Sequence, residues 1–261
     1  MTLRNSTPAG NPVWTDIMST DIDASKKFYA ALFGWEFEEP SSEEYGGYLS
    51  ATRNGHLVAG LSPYQPEFGG IPNIWSLYLK SDDIAATEAS VQGAGGQVLL
   101  PPMHVAPYGH MGIFLDAGGA AFGVWQPQEH QGFGVDSEHG SPAWHELYSK
   151  AYPEAVEFYS KAFGWDMHVM SDAPEFRYTT YGQGDDARAG LMDASGFLPA
   201  EVPGFWVTYW GVDDVDAACA TAVAKGGAVT EGPEDSEFGR VAAITDCCGA
   251  ALKLVGVQQT Q

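Results

Sequence analysis

Residues 158–167 read FYSKAFGWDM, and residues 28–37 of the same 261-residue chain read FYAALFGWEF. The Phe-Tyr pair and the Phe-Gly-Trp ending recur at an offset of 158 − 28 = 130 positions. Each copy must reach the same local structure, so such a repeat restricts the chain to folds that can be built twice. The correspondence extends well past this motif. Trp14 matches Trp144, Asp16 matches Glu146, Gly109 matches Gly239 and Asp116 matches Asp246, all at offset 130. Trp75 matches Trp206 one position later, so a single residue is inserted between. Two units of about 130 residues fall within the usual domain size.

Each copy divides again. VWTDIMS (13–19) and AWHELYS (143–149) read as opening strands. A helix follows in each, with Asp21 or Asp23 as N-cap in the first copy and Pro153 in the first turn of the second. Ala24, Phe28 and Leu32 recur at helical spacing, and Gly34 or Gly164 supplies the stop. The second half repeats the grammar. IWSLYLKSDD (74–83) and FWVTYWGVDD (205–214) predict strands that end in an Asp-Asp cap. Helices then run from near Ile84 to Gly93 and from near Val215 to Gly226, and short strands follow to GIFLDAGGAAFGVW (112–125) and VAAITDCCGAALKLV (241–255). Each half is thus a strand, a helix and about three strands. PQEHQGFGVDSEHGS (127–141) is Gly-rich and polar and reads as the connection. The expected organisation is a first domain over 10–127, a linker over 128–141 and a second domain over 142–258.

The spacing D-x₆-FY-x₄-GW, then V-D-D-V with a Gly-Gly helix exit, then a D-x-x-G turn between two last strands, resembles the vicinal oxygen chelate superfamily. That superfamily holds glyoxalases, extradiol dioxygenases and bleomycin-resistance proteins, and the resemblance runs from about Pro12 to Val257. Two such domains in tandem resemble a two-domain group common in actinobacteria. The resemblance implies an α+β fold of tandem glyoxalase-like domains, each made of two βαβββ modules whose sheets curl around a cleft. Metal-using members place His, Glu or Gln at fixed strand positions. Here the resemblance puts Trp14, Ser76 and Gly123 there in the first copy, and Trp144, Val207 and Lys253 in the second. An indole has no free lone pair and an ammonium repels cations, so no metal and no other cofactor is expected.

Alternation along the strands bears on the same positions. In VWTDIMS, Val13, Thr15 and Ile17 share one face, and Trp14, Asp16 and Met18 the other. The more apolar face should meet the helix, which leaves Trp14 and Asp16 toward the cleft. By the same count Trp144, Glu146 and Tyr148 face the second cleft with Lys253 opposite, and His145 points away as a structural histidine. Tyr78, Trp125 and Tyr209 complete the expected ligand-binding set. The strands do not fix the face of Trp75 and Trp206, and large aromatics there read as core filling. His104 and His110 flank a Pro- and Gly-rich loop and are read as rim residues.

Other chemistries are excluded by what is missing. GAGGQV (93–98) follows a helix rather than a strand, so it is no dinucleotide fingerprint, and neither a P-loop nor a nucleophile elbow is present. Lys and Arg total 12 against 34 Asp and Glu, a net charge of −22 that phosphate backbones repel, so no nucleic-acid partner is expected. With Cys219, Cys247 and Cys248 alone, a disulfide framework or zinc knot is not expected. No apolar run of about 18 residues exists and the N-terminus lacks a signal pattern, so no membrane partner is expected and the reading is cytoplasmic. What remains is a small-molecule binder with aromatic-lined clefts, taking a hydrophobic or aromatic molecule such as an antibiotic or other natural product. The alternative is a lyase-, isomerase- or hydroxylase-like enzyme with Glu146 as general base and Lys253 as its electrostatic partner. The doubling suggests a monomer with an internal pseudo-dimer, or a homodimer of such chains. Gly123 against Lys253 predicts unequal clefts, the first open to a bulky apolar ligand and the second more polar, with Lys253 ion-paired to a carboxylate.

Overall fold

The computed structural model describes residues 2–3, 6–38, 46–66 and 71–257. The first half contains β1 (Thr2–Leu3), β2 (Pro12–Ser19), α1 (Ile22–Phe33), β3 (Glu36–Glu38), β4 (Leu49–Arg53), β5 (His56–Pro63), β6 (Trp75–Lys80), α2 (Ile84–Gly93), β7 (Gln97–Val105), β8 (Gly109–Leu115) and β9 (Ala121–Pro127). A short β10 (Val135–Asp136) follows, then β11 (Pro142–Ser149), α3 (Tyr152–Phe163), β12 (Met167–Ala173), β13 (Phe176–Tyr181) and β14 (Ala189–Asp193). The chain closes with β15 (Phe205–Val212), α4 (Val215–Ala224), β16 (Ala228–Ser236), β17 (Gly239–Thr245) and β18 (Ala251–Gly256). Among the described residues no helix is long and apolar enough to cross a membrane.

Local chemistry sets these elements. Asp21 caps α1 by accepting from the Ala24 N–H, which settles the choice between Asp21 and Asp23. Asp83 and Asp214 cap α2 and α4 in the same way, whereas α3 has Pro153 in its first turn and no side-chain cap. Gly34 and Gly164 take the same left-handed conformation, φ 68°, that ends α1 and α3. Between them these turns aim the chain from helix to strand at Trp35 and Trp165.

Two eight-stranded sheets result, in the orders β3-β4-β5-β2-β6-β9-β8-β7 and β12-β13-β14-β11-β15-β18-β17-β16. Four βαβββ modules are thus arranged as two tandem glyoxalase-type domains. In each sheet the two central strands run antiparallel, β2 with β6 and β11 with β15, and each is flanked by a parallel neighbour. Both opening strands carry a register shift, between Pro12 and Trp14 and between Pro142 and Trp144. The shift moves Val13 out of strict alternation, so it packs with Trp14 in a smaller cluster rather than with Ile17.

The main cores cross between domains. One joins Phe28, Tyr29, Phe33, Trp35 and Trp75 of the first half to Trp210, Val215 and Leu252 of the second. The other joins Leu77, Phe114 and Phe122 to Phe158, Tyr159, Trp165 and Trp206. Helix α1 therefore packs against α4, and α2 against α3. Trp75 and Trp206 are buried here, on the face away from the clefts.

Hydrogen bonds repeat the crossing. The Tyr29 hydroxyl donates to Asp246 Oδ2 at 2.8 Å, and the Tyr159 hydroxyl donates to Asp116 Oδ2 at 3.1 Å. The other oxygen of each aspartate accepts two backbone N–H groups of its own turn, Gly118 and Ala120, or Cys248 and Ala250. Trp35 Nε1 donates to Gly140 O at 2.6 Å, and Trp165 Nε1 donates to Gly10 O at 2.9 Å. The FY-x₄-GW and D-x-x-G motifs of one domain are thus joined to those of the other. The three cysteines are free thiols. The connecting segment is less loose than its composition implies: Phe133 and Val135 are buried, and β10 pairs with β1.

Tyr29→Phe and Tyr159→Phe should each lower stability by about 1–3 kcal/mol, because a buried carboxylate oxygen loses its donor. Calorimetry on the whole chain measures this. Unchanged melting temperatures in both variants would show that the crossed bonds do not hold the halves.

Candidate functional site

The sheet faces turned away from the shared cores carry the sequence-predicted site residues in two separate groups. In the first sheet, Trp14 lies opposite Tyr78, and Asp16 opposite Ser76 and Gly60. Trp14 Nε1 donates to the Tyr48 hydroxyl at 2.7 Å, and Tyr48 donates to Asp16 Oδ2 at 3.2 Å. The Tyr78 hydroxyl also lies close enough to Asp16 to favour its ionised form. Two glycines make this possible. A Cβ on Gly60 would stand 1.8 Å from the Tyr48 oxygen, and one on Gly123 would stand 2.2 Å from Tyr78 Cδ1. Gly123 therefore leaves no open space for a ligand, contrary to expectation: the Tyr78 ring lies across it.

Burial raises the Asp16 carboxyl to about 7, and the Tyr48 and Tyr78 hydroxyls offset only part of that rise. Trp14 is nearly enclosed. The His130 ring meets it edge-on at 4.3 Å, and Phe133 lies 5.6 Å away, both from the connecting segment. Trp125 is buried beside them and donates Nε1 to His130 O at 2.9 Å. Burial lowers the His130 imidazole to about 4, so it is neutral near pH 7.

The second sheet repeats the plan with different substituents. Trp144 Nε1 donates to the Tyr178 hydroxyl at 3.0 Å, and Tyr178 donates to Glu146 Oε1 at 2.7 Å. The Tyr209 hydroxyl donates to Glu146 Oε2 at 2.7 Å. Tyr148 and Tyr209 place their hydroxyls 3.3 Å apart, and Lys253 Nζ donates to Tyr148 at 2.7 Å. Lys253 does not pair with Glu146 directly. Its carboxylate neighbour is Glu231, at 3.4 Å. The five residues Trp144, Glu146, Tyr148, Tyr209 and Lys253 are thus brought into one network. Trp144 and Tyr209 stay partly exposed, and Phe197 and Phe205 line the rim against Tyr148.

Asp16 and Glu146 sit in different sheets and do not meet. His145 is buried behind its strand, with Nδ1 at 3.0 Å from Thr208 Oγ1 and its ring stacked on Phe133. His104 bonds Gln128 and stacks on His110 at the edge of the first sheet. Sequence reasoning missed Tyr48, Tyr178, Phe197, Phe205 and His130. Tyr48 and Tyr178 were within reach: they recur at offset 178 − 48 = 130, as do Gly60 and Gly190.

The sequence profile of the Glyoxalase/Bleomycin resistance protein/Dioxygenase superfamily matches residues 12–124 and 141–254. The chain belongs to this superfamily. It is 36% identical over 258 residues to "Putative glyoxylase CFP32" of Mycobacterium tuberculosis, covering 98% of both chains. It is 33% identical over 264 residues to the anthracycline biosynthesis protein DnrV of Streptomyces peucetius, covering 96% of this chain and 94% of DnrV. Among solved structures, its fold matches the Mn(II)-bound glyoxalase of Novosphingobium aromaticivorans with a TM-score of 0.65 at 18% identity, over 95% of this chain and 82% of that one. It also matches the 2,3-dioxygenase LapB of Pseudomonas sp. KL28, with a TM-score of 0.66 at 13% identity over 96% and 93% of the two chains.

The superfamily includes metal-bound members, but the donors in these clefts do not fit a divalent ion. Each centre offers one buried carboxylate, ringed by phenols. Indole N–H groups and an ammonium supply no lone pair. Among the described residues, no three His, Cys, Asp or Glu side chains gather where one ion could bind.

Asp16 should leave a signature in the pH dependence of stability. The folded carboxyl holds its proton up to about 7, while the unfolded one loses it near 3.8. Between these values the native state binds the extra proton, so the Asp16 contribution falls as pH rises and levels off above 7. Asp16→Asn should therefore gain on the parent from pH 4 to 7 and keep a constant advantage beyond. Parallel melting curves across that range would contradict the burial of the group.

Proposed function

We propose that the protein binds a small, flat hydrophobic or aromatic molecule without a divalent metal, in the second cleft above all. The observation that carries this reading is the Glu146 centre. A single buried carboxylate accepts from two phenols, and Trp144, Tyr148, Tyr209, Phe197 and Phe205 stand around it. Aromatic walls suit a flat ligand, and the few polar groups fix its orientation. The relationship to a protein of anthracycline biosynthesis points to polycyclic natural products as the ligand class. The first cleft is less suited, since Trp14 already contacts His130 and Phe133.

The enzymatic alternative places Glu146 and Lys253 at a catalytic centre. A general base must reach the substrate proton directly, and both Glu146 oxygens face phenols at 2.7 Å, so the geometry favours binding over general-base chemistry.

Indole fluorescence of the full chain should change on addition of anthraquinone, a neutral tricyclic probe. Phe205→Ala should weaken binding several-fold, since an aromatic contact contributes on the order of 0.5–1.5 kcal/mol beyond buried area. Affinity unchanged from the parent in both Phe205→Ala and Trp144→Ala would remove the ligand from the second cleft. Exhaustive dialysis against a chelator should leave both affinity and melting temperature unchanged. Loss of either, restored by a transition metal, would overturn the metal-free reading.

A further inference from the structure

The repeat provides an internal control on the second cleft. Where that cleft has Tyr148, Phe205 and Lys253, the first has Met18, Ile74 and Gly123. The second cleft thus carries two hydrogen-bond donors and a stacking surface that its twin lacks.

The direction of the bonds shows what these donors can do. An ammonium only donates, so Lys253 donates a hydrogen bond to the Tyr148 oxygen. Tyr178 and Tyr209 both commit their hydrogens to Glu146. Of the three phenols beside Glu146, Tyr178 and Tyr209 hold it at 2.7 Å and Tyr148 interacts with it more weakly, so the Tyr148 hydrogen is the one of the three most easily redirected. Its contact with Tyr209, at 3.3 Å, is long for two hydroxyls. Burial, and then the Glu146 charge, push the Tyr148 phenol well above its ordinary value, so it stays a neutral donor. Beside it, Lys253 Nζ lies 5.2 Å from the Tyr148 ring and 5.4 Å from the Tyr209 ring. Its partner Glu231 keeps 66% of its side-chain surface exposed, so that ion pair is solvent-screened and readily exchanged. Phe205 stacks on Tyr148 at 5.3 Å and is itself 38% exposed.

We propose that the second cleft selects planar aromatic ligands bearing an ionised oxygen, a phenolate or enolate, with the ring on Phe205 and the oxygen held by the Lys253 ammonium and the Tyr148 hydroxyl. This rests on the reading of the cleft as an aromatic-binding site. On a chain of net charge −22, a local cation offsets the repulsion that an anionic ligand meets. The groups facing Lys253 are Tyr148, Tyr209 and Glu231, with Glu146 behind the two phenols. Of these, Glu231 is the anion that competes with the ligand oxygen for the ammonium, while the Tyr148 oxygen keeps one of its three hydrogens.

The test compares 2-hydroxyanthraquinone with anthraquinone on the full-length chain. The hydroxylated probe should bind at least about tenfold more tightly at pH 8, the scale of one charge-assisted hydrogen bond. Its visible absorption should show the bound phenol ionising at lower pH than the free one. Lys253→Met should abolish both effects while anthraquinone binding persists, and Glu231→Gln should enlarge the preference. A wild-type protein that binds both probes equally, or leaves the ionisation midpoint where it is in water, overturns this proposal but leaves the aromatic-cleft reading standing. Failure to bind either probe removes both. The wild-type midpoint decides the matter even if Lys253→Met does not fold.

Discussion

Two buried bonds organise the molecule: the Tyr29 phenol on Asp246, and the Tyr159 phenol on Asp116. A carboxylate taken out of water must be compensated on both oxygens. Here two N–H groups of the D-x-x-G turn satisfy one oxygen, and a tyrosine from the other domain satisfies the second. Neither domain can complete its own turn. That requirement fixes which face of each sheet turns inward, since Tyr29 and Tyr159 bring Trp35, Trp75, Trp165 and Trp206 with them. Large aromatic surface is buried between the halves, and the faces holding Asp16 and Glu146 are left for the clefts.

The same economy of glycine and tyrosine shapes each cleft. Tyr48 lies over Gly60, and Tyr178 lies over Gly190, where an added Cβ would stand 1.9 Å from its oxygen. The strand glycine is a space for a phenol rather than a turn. The carboxylates then differ by one methylene. Glu146 is long enough to present separate oxygens to Tyr178 and Tyr209, each at 2.7 Å. Asp16 has a longer bond from Tyr48, at 3.2 Å, and burial dominates its titration.

Much of the fold was legible because repetition and punctuation act locally. Asp83, Asp214, Gly34 and Gly164 do in the structure what their positions imply. The inward face of Trp75 and Trp206 was not readable from their strands, because it depends on aromatic partners in the opposite domain. Tyr48 and Tyr178 escaped notice although they obey the repeat, since nothing in a strand sequence announces that a ring will lie across a glycine of the neighbouring strand. His130 and Phe133 were hidden for another reason. They sit in a polar, Gly-rich segment, and only contact with Trp14 and His145 gives them a role.

Joining the two copies in one chain has a consequence that pairing identical chains would not. In a symmetric pair, a lysine at the last strand would appear in both clefts or in neither. Here Lys253 takes the position that Gly123 holds in the first copy, and Tyr148 that of Met18, while every crossed bond of the shared core is kept. The linker makes the second copy permanently available at high effective concentration, so association no longer constrains the cleft residues to match. The connecting segment uses that freedom on one side only: Phe133 lies between Trp14 of the first domain and His145 of the second, and His130 covers Trp14. Symmetry is thus retained where the halves need each other, in the buried tyrosine–aspartate and tryptophan–glycine bonds. It is lost where a ligand would meet the protein, at the one cleft that keeps a cation beside a phenol.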